Sequence, residues 1–146
     1  ARTMRDALLR HPWAIDFIGM GPPSGPNDAR NVERLLAAVD GLGLDITTAL
    51  WILMTGGTYV AGAALREVQE IRWQRSTEAA AGAMAASDVA TMFSEFERRI
   101  RESGRYPQLV RALDAGVDPD APETRDDRFE FGLDCVLDGI AARLRS

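Results

Sequence analysis

The sequence is short of the residues that metal and redox chemistry require. Among 146 residues there are one cysteine and one histidine, so an internal disulfide framework and a His/Cys metal cluster are both excluded. Lysine is absent: the 17 basic residues are all arginine, set against 22 acidic residues for a net charge of −5. Because nucleic-acid binding depends largely on basic side chains that meet phosphates, this chain is not expected to touch DNA itself.

Signals for membrane spans and β-strands are also missing. No apolar run reaches membrane-spanning length, and no basic start followed by an apolar middle marks a signal peptide. No stretch alternates apolar and polar residues as a half-buried strand does. Together with the single cysteine, which fits a reducing compartment, these features predict one all-α domain over residues 1–146, cytoplasmic and without a membrane contact.

Helical periodicity and capping residues divide the chain into helices. The predicted helices cover residues 2–11, 28–41, 45–74, 87–103, 107–115 and 126–144. Asn27, Asp45 and Asp127 are the expected N-caps, and Asp127 forms a capping box with Glu130. The alanine-rich segment 76–87 has no clear periodicity and is consistent with either helix or loop.

Two of these helices carry small residues beside an apolar stripe. In the last helix, Gly132, Cys135 and Gly139 recur at steps of three and four. Glycine inside a helix costs roughly 1 kcal/mol against alanine, so its repeated use indicates close packing by another helix. The helix 45–74 repeats the pattern, and two such helices per subunit predict a homodimer built on a four-helix bundle. The residues expected at this interface are Gly57, Ala61, Ala64, Phe131, Gly132, Cys135, Val136 and Gly139.

A set of large apolar and hydroxyl side chains exceeds what a simple core needs. Methionine repacks around ligands of different shapes, and Tyr or Thr can orient a polar group. Such a set is consistent either with ordinary core or with a pocket for a small apolar molecule. The candidate ligand-binding residues are Trp13, Phe17, Trp51, Met54, Thr55, Thr58, Tyr59, Met92, Phe93 and Phe96.

The order of segments resembles the C-terminal regulatory domain of TetR-family transcriptional regulators, in the subclass named after the tetracycline repressor. The most specific parts are the opening LLRHPW (8–13) and the closing FEFGLDCVLDGI (129–140). The resemblance implies a repressor in which this domain dimerises and binds an inducer. An N-terminal helix-turn-helix domain, which we expect to be absent from this chain, would bind operator DNA. The chain departs from the family in that the tetracycline-type pocket is not reproduced, so we expect a different inducer, small and apolar, with no metal or cofactor.

Two other functions are consistent with the sequence. A purely structural dimerisation module would respond to no small molecule and would have a filled interior. A small helical enzyme would need a buried carboxylate, for which Asp16 and Glu33 are the candidates, but no acid–base pair stands in evident register. We therefore expect no catalytic residue.

Overall fold

The protein is described by a computed structural model, in which helices account for most of the chain. The residues it describes are 1–17, 25–81, 86–116, 118 and 120–145, with the backbone alone at 80, 81 and 86–90. Within this part of the chain the α-helices are α1 (Arg2–Arg10), α2 (Pro26–Val39), α3 (Ile46–Ala81), α4 (Ala86–Ser103), α5 (Pro107–Asp114) and α6 (Arg125–Leu144). The described residues contain no strand, and the all-α prediction is confirmed.

The long helix α3 starts where the sequence predicts and ends later. Asp45 accepts a hydrogen bond from the backbone N–H of Thr48 at 3.0 Å and another from its hydroxyl at 2.6 Å, which confirms Asp45 as the cap. The helix then runs on to Ala81, so the first part of the ambiguous alanine-rich segment is helical. Residues 82–85, with the rest of that ambiguity, lie outside the described residues.

The other two predicted caps are wrong, for a shared reason. Pro26 lies at the first position of α2, where its missing N–H costs nothing, and this moves the cap from Asn27 to Gly25. At α6, a 3₁₀ turn over Pro122–Thr124 leads directly into a helix that begins at Arg125. Asp127 therefore lies within the first turn, where a carboxylate favours the positive end of the helix dipole.

The structure separates into two compact units, residues 1–68 with 126–146 and residues 69–125. In the first unit, small apolar clusters hold α1 and α6 against α3. One cluster consists of Leu8, Ile15, Ala64 and Val68, and the other of Val60, Phe129 and Leu133. The apolar stripe predicted for α6 is buried only in its first half, because Leu137 and Leu144 are exposed further along the helix.

Polar contacts link helices within the second unit. Arg125 donates to Gln74 at 2.7 Å and to Glu70 at 3.4 Å, which ties α3 to the first residue of α6. Between α4 and α5, Arg101 forms an ion pair with Asp114.

Helix α3 contains a long apolar stretch. Among the described residues, the stretch Ile46–Ala79 is long and apolar enough to cross a membrane by length and composition alone. This corrects the expectation that no apolar run reaches that length, because alanine and glycine fill the positions between the larger side chains. Within this stretch, the 18-residue segment that passes this test is only 17% buried within the chain, so much of its apolar surface is left without a neighbour.

Candidate functional site

An open groove of about 420 Å³ runs between α3 and α6 in the first unit. The residues that line it are Thr48, Trp51, Ile52, Thr55, Cys135, Val136, Gly139, Ile140, Arg143 and Leu144. They recur at steps of three and four on both helices, which places them on the facing sides. Residues predicted for a ligand pocket and residues predicted for a dimer interface therefore line one surface.

Large apolar side chains are exposed on the same two helices. Trp51 is 66% exposed, Met54 67% and Phe131 74%. A shallow depression of about 370 Å³ beside the groove adds Thr58 to them. A group of exposed apolar side chains of this size is typical of a binding surface. We call the groove together with Met54, Thr58 and Phe131 the α3–α6 face.

The glycines on and beside this face have open space around them. A Cβ atom built at Gly57 or Gly139 would meet no atom of the chain within 4 Å. No close neighbour inside the subunit therefore explains the choice of glycine at these two positions. Glycine still destabilises the helix relative to alanine at these positions. Close packing by a helix of a second molecule would explain why glycine is used there.

Gly132 and Ala64, both predicted for the dimer interface, have close neighbours within the subunit. Ala64 is fully buried in the cluster between α1 and α3. A Cβ built at Gly132 would lie 2.7 Å from Cε2 of Tyr59 and closer still to its hydroxyl. That hydroxyl donates to the carbonyl of Phe129 at 2.7 Å, and burial raises the pKa of Tyr59. Tyr59, predicted to bind ligand, thus has its hydroxyl engaged within the subunit.

The remaining predicted ligand residues are not gathered around the groove. Trp13 and Phe17 are exposed on the 3₁₀ turn after α1 and contact each other edge to face, with ring centroids 6.1 Å apart. Neither lines the groove. Met92, Phe93 and Phe96 are exposed on α4, in the second unit. Of the predicted set, Trp51 and Thr55 line the groove, and Met54 and Thr58 line the depression beside it.

The carboxylates named for an enzymatic function do not have the burial it requires. Asp16 and Glu33 are both exposed. Among the described residues, no three His, Cys, Asp or Glu side chains are grouped so as to hold a metal ion.

A buried arginine joins α1 to both long helices. Arg5 is 8% exposed; its guanidinium Nε donates to Glu67 of α3 at 2.9 Å, and Nη2 lies 2.7 Å from the carboxylate of Asp126 on α6. The guanidinium carbon lies 4.7 Å from the centre of the Phe129 ring. Burial by itself lowers the pKa of Arg5, and the hydrogen bonds to Asp126 and Glu67 more than offset it, so the pKa is raised.

This cluster was not predicted from the sequence, although the sequence contains a signal for it. Arg5 lies three residues before Leu8 and therefore on the inward face of α1. An arginine among core positions indicates a buried partner, since an unpaired buried charge is costly.

Comparison with known proteins identifies a family and a relative. The family described as "Tetracyclin repressor-like, C-terminal domain" matches residues 1–144. The HTH-type transcriptional repressor DrrR1 of Streptomyces coeruleorubidus is 29% identical over 141 residues, which are 96% of this chain and 48% of that protein. The chain thus spans about half the length of this curated relative.

Proposed function

Because this chain belongs to the tetracycline-repressor-like C-terminal domain family, we propose that it is the dimerisation and ligand-sensing domain of a transcriptional repressor. In the full-length protein, a helix-turn-helix domain outside this chain would bind operator DNA. The α3–α6 face is the observation that carries the proposal. It presents large apolar side chains and a groove that the subunit itself leaves uncovered.

The proposed partner at this face is a second copy of the chain. In a two-fold dimer the same patch meets itself, so a face with both a projecting ring and a groove can be self-complementary. Phe131 projects and the groove receives, while the open space beside Gly57 and Gly139 permits close helix approach. Covering the face with another subunit also accounts for the exposed apolar surface of α3 without a membrane. We accordingly propose a cytoplasmic homodimer with a four-helix interface.

Phe131→Asp should separate the dimer. Burying a phenylalanine contributes about 1.5–3 kcal/mol, and the dimer contains two copies. We therefore expect the dissociation constant of the dimer to rise by about 100-fold or more. Sedimentation equilibrium of the purified protein measures this change. The control is Leu137→Asp, also exposed on α6 but turned about 120° away from Phe131 around the helix axis. A dimer that survives Phe131→Asp but not Leu137→Asp would place the interface on another side of α6.

We propose that the ligand is a small apolar molecule bound within this interface, with Trp51, Met54, Thr55 and Thr58 as the contact residues. An inducer acts by preferring one of two arrangements of the dimer, with a coupling free energy of typically 1–3 kcal/mol. Two DNA-binding heads must lie roughly 34–36 Å apart to grip a palindromic operator, so a modest rearrangement is enough to release it.

Release of operator DNA from the full-length protein tests ligand sensing. A panel of apolar aromatic and aliphatic compounds is screened by fluorescence anisotropy of labelled operator. For a compound that releases the wild type from operator DNA, Trp51→Ala should raise the half-effective concentration by about tenfold, because the ligand loses its apolar contact with the tryptophan side chain. Trp73→Ala is the control, because Trp73 is exposed on the same helix but outside the groove. If no compound changes operator binding, the domain is a structural dimerisation module.

A further inference from the structure

Resting on the proposed dimer, we propose that Arg5 is the residue through which the α3–α6 pair controls α1. Arg5 contacts a carboxylate from each of the two helices, Glu67 from α3 and Asp126 from α6. The planar guanidinium presents donors in a fixed fork, so both contacts hold only when the two helices keep their spacing.

The guanidinium of Arg5 and its partner on α3 are buried, with the side chains of Arg5 and Glu67 10% and 13% exposed. The third member, Asp126, is 84% exposed, so the α6 carboxylate reaches the buried charge from the surface. If α6 moves away from α3, Arg5 loses one carboxylate and keeps a buried charge that is only partly compensated, which is costly. α1 therefore follows the helix pair, because its arginine is most stable where both carboxylates are within reach.

A continuous set of contacts joins the α3–α6 face to Arg5. Gly132 lies one residue beyond Phe131 and provides the space that the ring of Tyr59 occupies. Tyr59 hydrogen-bonds the carbonyl of Phe129 and packs on its ring, with centroids 5.8 Å apart. The guanidinium carbon of Arg5 lies 4.7 Å from the centre of the same ring. A partner that holds α6 against α3 at the face therefore also fixes the ring on which Arg5 lies.

The experiment is a double-mutant cycle read by hydrogen–deuterium exchange of α1 (Arg2–Arg10). Four full-length proteins are compared: wild type, Phe131→Asp, Arg5→Met and the double variant. With the wild type, loss of the dimer through Phe131→Asp should speed exchange in α1 by about fivefold or more. With Arg5→Met, exchange in α1 is already faster, and adding Phe131→Asp should change it less than about twofold, since coupled sites are not additive.

Arg2→Met is the matched control. Arg2 also lies on α1 and forms an ion pair with Glu130 of α6 at 2.6 Å, but its side chain is 71% exposed. Exposed ion pairs contribute little, so this variant should keep the full response to Phe131→Asp. If Arg2→Met also abolishes the response, an exposed α1–α6 ion pair couples α1 to the dimer as well as Arg5 does, and the specific role of Arg5 is overturned.

The outcomes separate this inference from the proposed function. If Phe131→Asp leaves the dimer intact by sedimentation, the proposed interface is wrong and the inference falls with it. If the dimer dissociates while exchange in α1 stays unchanged, or if the effects of the two substitutions add, the dimer stands and the coupling through Arg5 is overturned. Should Arg5→Met fail to fold, Asp126→Ala removes one partner of Arg5 at an 84% exposed position and must abolish the response in the same way.

Discussion

At the scale of single residues, Gly132 leaves space that a neighbouring side chain fills. The ring of Tyr59 occupies the space where a Cβ would stand, and its hydroxyl reaches the backbone of α6. A close neighbour at a helix glycine was predictable from the sequence. The sequence did not indicate whether that neighbour belongs to the same chain, because a small side chain favours close approach from either source.

Gly132→Ala should destabilise the protein although alanine is the better helix former. The overlap with Tyr59 is expected to cost roughly 1–3 kcal/mol in unfolding free energy, more than the helix preference returns. Urea unfolding of the monomeric Phe131→Asp background measures it without the dimer. Gly56→Ala is the control, since a Cβ there meets nothing within 4 Å, and it should stabilise by up to about 1 kcal/mol. Two substitutions that stabilise equally would mean that Tyr59 moves aside freely.

At the scale of the helix, the start of α3 was predictable from local sequence and its end was not. Asp45 caps it as predicted, because a short acidic side chain before a helical run has few competing roles. Its far end was ambiguous because alanine favours a helix strongly but provides no apolar periodicity. At α2 and α6, proline-led starts displaced the predicted caps Asn27 and Asp127, so a proline nearby carries more information than the acceptor side chain alone.

The cap of α3 should make part of the stability depend on pH. The hydroxyl of Thr48, followed by its backbone N–H, lowers the pKa of Asp45 in the folded protein. A carboxyl with a lowered folded-state pKa contributes stability above its unfolded pKa, and this stability is lost as the pH falls from the ordinary value of 3.8 through the lower folded value. Asp45→Asn keeps a capping acceptor without the titration. Its thermal midpoint should therefore fall less than that of the wild type between neutral and acidic pH in calorimetry; parallel losses would contradict the assignment.

At the scale of the whole molecule, the fold class and the importance of α3 and α6 were predictable, while the membership of the site was not. Periodicity and composition report on local structure, and these were sufficient for an all-α chain. Trp13 and Trp51 are equally large and apolar in the sequence, yet only Trp51 lines the groove. That difference depends on long-range packing, as does the inward position of Arg5, whose partners lie 62 and 121 positions along the chain.

The exposure of Cys135 on the groove has a practical consequence. It is the only thiol in the sequence, and in the single subunit it is open to solvent. A maleimide or iodoacetamide reagent would therefore modify one known position without any engineered handle. The rate of that alkylation, followed by mass spectrometry against protein concentration, would serve as a footprint of whether this side of the subunit is free or shielded.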